Sequence, residues 1–165
     1  MDALFAREAH HAPAKLFLTQ LAEARSIIVF NQVLELELRE TAFKLPLSER
    51  FPRDWKRRRH DGRSLGRARR LVGESIEAWE DLLTAFSYIV IEVGEILDRV
   101  DELMGAFGLS SNDAAMAATA EFTGARTIVT TDAGFASVPD SRLTVYTNSG
   151  RVPACRRMRR GIAPN

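Results

Sequence analysis

The sequence predicts an α/β domain built on a mainly parallel sheet flanked by helices, and three observations carry that prediction. Short β-branched and aromatic runs stand at residues 26–30, 88–93, 127–129 and 143–146, each of strand length. Longer segments with apolar stripes at helical spacing alternate with them. Helix start and stop signals separate the two kinds of segment: Asn31, Ser110 and Ser111 as caps, Gly108 and Gly124 as terminators. The chain has 165 residues, 45% apolar and 27% charged, an ordinary globular composition for one domain.

The elements follow in order. Residues 12–24 read as a helix striped by Leu16, Phe17, Leu21 and Ala24. The run 26–30 is continuously apolar after Ser26 and predicts a strand buried on both faces. Asn31 caps a second helix, through Val33, Leu34, Leu38 and Phe43, that stops near Pro46. A basic segment over about 46–70, with Pro46, Pro52 and Gly62, predicts loop or short helix. Residues 71–83 then read as helix through Leu71, Ile76, Trp79 and Leu83, and 88–93 supplies the clearest strand. Two further helices follow, over 95–107 and 114–122, before the strands at 127–129 and 143–146.

The single cysteine, Cys155, excludes an intrachain disulfide and a cysteine zinc site. No apolar run reaches the length of a membrane span and the start lacks a signal-peptide layout, so the expectation is a cytoplasmic protein with no membrane partner. The net charge is only +1, but its distribution is uneven. Ten basic side chains between Arg50 and Arg70, Arg57, Arg58, Arg59 and Arg63 among them, face two acids, Asp54 and Asp61. Nine carboxylates and one Arg99 follow between Leu71 and Met104, and Arg151, Arg156, Arg157, Arg159 and Arg160 mark a basic, flexible tail over 149–165. A solvated helix face accounts for the basic stretch, and so does a phosphate-binding surface, because guanidinium forks match phosphate oxygens. Trp55 within it offers a ring on which a base stacks.

Three acids are placed at one sheet edge by the order of elements. Ligands of open parallel sheets sit outside the carboxyl ends of the strands. Asp132 follows the 127–129 strand by one short turn, Glu37 lies in the second turn of the helix leaving Phe30, and Asp113 opens the helix that runs back into residues 127–129. Each has an ordinary explanation too. Asp113 complements a helix dipole, Asp132 suits a turn, and Glu37 is one surface glutamate beside Glu35 and Glu40. Bare carboxylates about 4 Å apart repel by roughly 4 kcal/mol at an effective dielectric of 20, so a cluster calls for a proton or a cation. All-oxygen donors suit Mg²⁺ or Mn²⁺. No Gly-x-Gly-x-x-Gly follows a strand, which argues against a dinucleotide-binding enzyme.

The segment Ser111-Asn112-Asp113-Ala114-Ala115-Met116-Ala117-Ala118 and the run Thr127-Ile128-Val129-Thr130-Thr131-Asp132-Ala133-Gly134-Phe135 resemble the C-terminal half of a PIN domain: an aspartate opens an alanine-rich helix, then a strand ends in Thr-x-Asp-x-x-Phe. Asn31 to Leu38 resembles that family's second motif, with Glu37 at the fitting spacing. Ala9-His10-His11-Ala12-Pro13-Ala14 is similar to the loop and first helix of VapC-type toxins of bacterial toxin–antitoxin pairs.

The resemblance covers about residues 2–146 and implies a PIN-like (Rossmann-like) three-layer sandwich, residues 1–148 forming one domain. It implies a metal-dependent endoribonuclease, the toxin of a type II pair, hydrolysing RNA phosphodiester bonds with Mg²⁺ or Mn²⁺. Glu37, Asp113 and Asp132 carry over as the last three of four metal-binding acids, and Thr130 as the hydroxyl before the last. The RNA substrate, a cognate antitoxin and a second copy in a homodimer are the implied partners. The family's first strand and first acid have no counterpart after Met1, and Asp2 stands too late to be that acid. The resemblance therefore implies about six apolar residues and an aspartate encoded immediately upstream. The alternative is a non-catalytic PIN-fold protein that binds RNA or antitoxin.

Overall fold

A computed structural model describes residues 11–147. Asp2, His10 and the tail from 149 lie outside the described residues. In chain order the elements are α1 (His11–Glu23), β1 (Ile27–Asn31), α2 (Gln32–Arg50), α3 (Gly62–Leu83), β2 (Ser87–Ile91), α4 (Leu97–Phe107), α5 (Ser111–Phe122), β3 (Thr127–Val129) and β4 (Thr144–Tyr146), with 3₁₀ turns at Val93–Glu95 and Ala133–Ser137. Among the described residues β1 pairs with β2 and β3 with β4, as two two-stranded sheets. No helix among them is long and apolar enough to cross a membrane. The alternation of strands and helices is the α/β pattern the sequence predicts.

The chain divides into two units, one of Met1–Ile28 with Leu34–Ile89, the other of Val29–Val33 with Val90–Asn165. In the first, α2 does not stop at Pro46. It runs on to Arg50 with Pro46 inside it, because Pro46 and its neighbour Leu47 are both buried and that burial offsets the lost backbone hydrogen bond. α3 begins nine residues before the predicted start at 71, so Arg63, Arg67, Arg69 and Arg70 belong to one long helix with residues 71–83 instead of a separate loop or short helix. Its buried stripe is Ser64, Ala68, Ser75, Trp79 and Leu83. The stripe keeps helical spacing throughout, but its first half is made of small residues that leave no hydrophobic signal. Asp61 caps this helix, accepting from the Ser64 amide at 3.0 Å, and Arg50 of α2 reaches the same carboxylate at 2.9 Å. Glu49 and Arg67 tie the two helices again at 3.3 Å.

The second unit holds a core of Ile91, Ile96, Leu103, Phe135, Val138 and Leu143 around the alanines of α5. Six residues of α5 are buried, five of them alanine, which lets α4 and β3 approach its backbone closely. Gly108 ends α4 at φ 64°, a left-handed position that glycine takes without cost. β3 and β4 are parallel, in register Thr127 to Thr144 and Val129 to Tyr146. Glu121, with 13% of its side chain exposed, binds Arg99 and also Arg142, the latter at 3.1 Å, joining α4, α5 and the approach to β4. Asn31 is fully buried; its amide donates to the Ala115 carbonyl at 3.0 Å and the Thr119 hydroxyl at 2.7 Å.

The strands at 26–30 and 88–93 are less covered than a continuous apolar run suggests. Ile27 is 60% exposed and Tyr88 51%, and burial is confined to Phe30, Asn31 and Ile91 at the far ends. A run of apolar residues sets strand character, whereas coverage depends on what the rest of the chain lays over each face.

Candidate metal centre

β3 delivers its C-terminal end to a tight turn. The Thr130 amide donates to the Tyr146 carbonyl at 3.1 Å, extending the ladder one residue past the strand. The Thr130 hydroxyl then accepts from the Asp132 amide at 3.0 Å, and Asp132 Oδ1 accepts from the Gly134 amide at 2.7 Å. Phe135, 2% exposed, plugs the turn into the core. The Thr-x-Asp-x-x-Phe spacing thus has a mechanical reading: the hydroxyl folds the backbone under the acid, and the ring anchors it.

Asp113 arrives from the other direction, in the first turn of α5. Ser110 caps the helix by accepting from the Asp113 amide at 3.2 Å, and its hydroxyl donates back to Asp113 Oδ2 at 2.7 Å. The two carboxylates meet beside Gly134. A Cβ built on that glycine would lie 3.2 Å from Asp132 Oδ1 and 3.6 Å from Asp113 Oδ2. A methyl group at residue 134 would therefore sit against both acids, most tightly against Asp132, and glycine leaves that approach open. The donors are all oxygen, Asp113 is half-buried and Asp132 exposed. That combination fits a hard divalent cation, which keeps several waters and takes one or two carboxylates from the protein.

Asp113 and Asp132 thus both lie near Gly134, and Thr130 folds the turn beneath Asp132. Glu37 lies in α2, half-buried, in the part of the helix that belongs to the first unit. Among the described residues no group of three or more His, Cys, Asp or Glu side chains forms a metal-binding cluster. Asn31 anchors the start of Glu37's helix: its Oδ1 accepts from the Val33 amide at 2.9 Å while its amide group binds α5. Sequence reasoning identified this cap but not its long-range half. It also passed over Gly134, whose signal was a glycine two residues after an aspartate in a turn.

The four arginines expected to bind nucleic acid fall in two places. Arg57, Arg58 and Arg59 lie in the turn between α2 and α3, and Arg63 in the first turn of α3. Arg59 pairs with Glu40 at 3.7 Å, whereas Arg57 and Arg63 form no ion pair among the described residues.

Residues 2–141 match the family described as the PIN domain. The chain belongs to the PIN domain family. No curated protein and no solved structure matches it at a significant level. Its α/β architecture with parallel strands is that of a PIN domain, and nuclease-type activity supported by divalent metal ions is what PIN domains carry in general.

Proposed function

We propose that this PIN domain is a Mg²⁺-dependent endoribonuclease that hydrolyses RNA phosphodiester bonds, acting in the cytoplasm as the toxin of a type II toxin–antitoxin pair. The observation that carries the reading is the Asp113–Asp132 pair flanking the open Gly134 position, at the C-terminal edge of β3 where α/β folds bind ligands. Asp113 and Asp132 would hold the ion, with Glu37 as the third acid. Mn²⁺ would serve the same oxygen donors. The bound cation would supply Lewis-acid stabilisation of the phosphate and a water of lowered pKa. Ser110 holds the Asp113 carboxylate by its hydroxyl, and Thr130 holds the Asp132 backbone, so both acids are set before substrate arrives. The basic segment, with Arg57, Arg58, Arg59 and Arg63, would bind the RNA backbone. A cognate antitoxin and a second copy of the chain are the proposed protein partners.

Purified protein with Mg²⁺ and single-stranded RNA tests the reading. Asp113→Ala and Asp132→Ala should remove cleavage, Glu37→Ala should do the same, and Glu35→Ala should not. Cutting at the parental rate by Asp113→Ala would remove the acid pair from the reaction. Expression of the parent should arrest growth, and expression of Asp113→Ala should not. A second reading, a non-catalytic PIN domain that binds RNA or antitoxin, is favoured by the lack of a three-acid group among the described residues. RNA binding without cleavage at any Mg²⁺ or Mn²⁺ concentration would establish it.

A further inference from the structure

Between Arg50 and Arg59 six cations face one acid, Asp54. Aromatic rings hold most of these cations. Arg50 and Arg58 lie over Phe51 at 5.1 and 5.4 Å, and Arg59 lies over Phe43 at 5.5 Å. Lys44 and Lys56 lie over Trp55 at 5.3 and 5.9 Å. A carboxylate partner cancels a cation's charge, whereas the quadrupole of a ring holds the cation and leaves its charge in place. Arg50 and Arg59 also reach carboxylates, Asp61 at 2.9 Å and Glu40 at 3.7 Å, whereas among the described residues Arg58 and Lys56 are held by rings alone. The turn is therefore fixed against α2 while Arg53, Lys56, Arg57 and Arg58 sustain its positive field.

Two hollows open on this turn. One, of about 410 Å³, is lined by Pro52, Arg53, Asp54, Trp55, Lys56 and Arg57. The other, of about 310 Å³, is lined by Phe51, Arg58 and the shared Pro52, Arg53 and Asp54. Each combines an aromatic ring with at least two cations, and Asp54 stands in both. Arg53, Arg57 and Asp54 form no ion pair among the described residues.

We propose that these adjoining hollows are a subsite for single-stranded RNA, in which a base packs on Trp55, Arg53 and Arg57 hold the flanking phosphates, and Asp54 accepts from an N–H on the base edge. The choice of RNA rests on the ribonuclease reading above; the hollows extend it to a recognition site in a different segment of the chain. A bare phosphate site gains nothing from Asp54, whose charge opposes any anion. A carboxylate beside a ring instead matches a base, which offers a π-face and N–H donors together. A duplex keeps its base faces in its own stack, so an unpaired strand is the form with a face to give.

The test uses the full chain in chelator, so that nothing is cut, with a short labelled single-stranded RNA and with heparin as a polyanion without bases. Trp79 is 8% exposed and Trp55 is half-exposed, so quenching of tryptophan fluorescence reports Trp55. RNA should quench it and heparin should not. Trp55→Ala should weaken RNA binding roughly five- to a hundredfold, the range for loss of one stacked base, and leave heparin binding unchanged. Asp54→Asn, at an exposed turn position that leaves the fold intact, should weaken RNA and tighten heparin. Replacing Arg53 and Arg57 by Gln should flatten the RNA salt slope by about 1.4 units, two phosphates at about 0.7 each. If Asp54→Asn tightens both ligands alike, or Trp55→Ala leaves RNA binding unchanged, the hollows are not a base site. Displacement of RNA by an acidic peptide at equal concentration would also overturn the assignment. Binding as expected with no Mg²⁺-dependent cleavage would sink the nuclease reading and leave the subsite standing. Cleavage with binding indifferent to Trp55 and Asp54 would do the reverse.

Discussion

At residue 134 one hydrogen atom in place of a methyl group leaves the approach to Asp132 and Asp113 open. Gly134 is not in a left-handed conformation, so alanine is tolerated by the backbone there, yet its Cβ would enter at 3.2 Å from Asp132 Oδ1. Gly134→Ala should therefore weaken Mg²⁺ binding by about tenfold, the low end of what disturbing a metal's surroundings costs, without changing any charge. Calorimetric titration measures it; an unchanged affinity would place the metal elsewhere. At the same scale, Asn31 makes three hydrogen bonds inside the protein. Asn31→Ala strands the Val33 amide and removes one of the donors to the Ala115 carbonyl, which keeps the Thr119 hydroxyl at 2.8 Å. It should lower unfolding stability by about 1–3 kcal/mol in urea, with no direct loss of a charged group.

The helices carry their own tests at their ends. α4 stops at Gly108, where φ is 64° and a Cβ would meet nothing within 4 Å. Gly108→Ala should thus cost the backbone term alone, about 1–2 kcal/mol, and a much larger loss would mean that the turn into α5 had moved. α3 starts at Asp61, whose carboxyl is held below its ordinary value of 3.8 by hydrogen bonding to the Ser64 side chain and backbone, with Arg50 adding to it. A carboxyl depressed in the folded state stabilises above its unfolded pKa and loses that contribution as pH falls through the folded one. The parent should consequently lose helix stability below about pH 3.8, and Asp61→Ala should melt earlier at neutral pH and show less of that acid-dependent loss. Farther along, Glu121 holds two arginines between α4, α5 and the approach to β4. Glu121→Gln leaves both with weaker partners and should cost about 2–3 kcal/mol, less than a fully buried pair because both arginines keep contact with water.

At the scale of the whole molecule, metal and fold are linked by mass action. An ion that binds only the native state at a hundred times its Kd adds about 2.7 kcal/mol to stability. Mg²⁺ should raise the Tm of the parent, and should leave that of Asp113→Ala and Asp132→Ala nearly unchanged. A Mg²⁺ effect surviving in both variants would dissociate the ion from the acid pair. The charge pattern acts at this scale as well: a net charge of +1 gives little overall attraction to RNA, so affinity should depend steeply on the cations of the 50–59 turn.

Much of this was legible in the sequence because it is local. Strand character, the Asn31 and Ser110 caps and the Gly108 and Gly124 stops each follow from a few neighbouring residues, and the Thr130–Asp132–Phe135 turn is a self-contained device. Tertiary structure decided what no short window contains. Pro46 stays within α2 because its ring is buried, and α3 reaches back to Gly62 along a stripe of Ser64 and Ala68 that only a packed neighbour makes into a face. Asn31 is more than a cap because Ala115 and Thr119 lie beside it, far along the chain. The basic turn keeps much of its charge because rings hold Arg58 and Lys56 with no carboxylate partner among the described residues, while Arg50 and Arg59 are paired with Asp61 and Glu40. Propensity acts over a few residues, whereas burial and pairing are set by whichever distant segment comes to lie alongside.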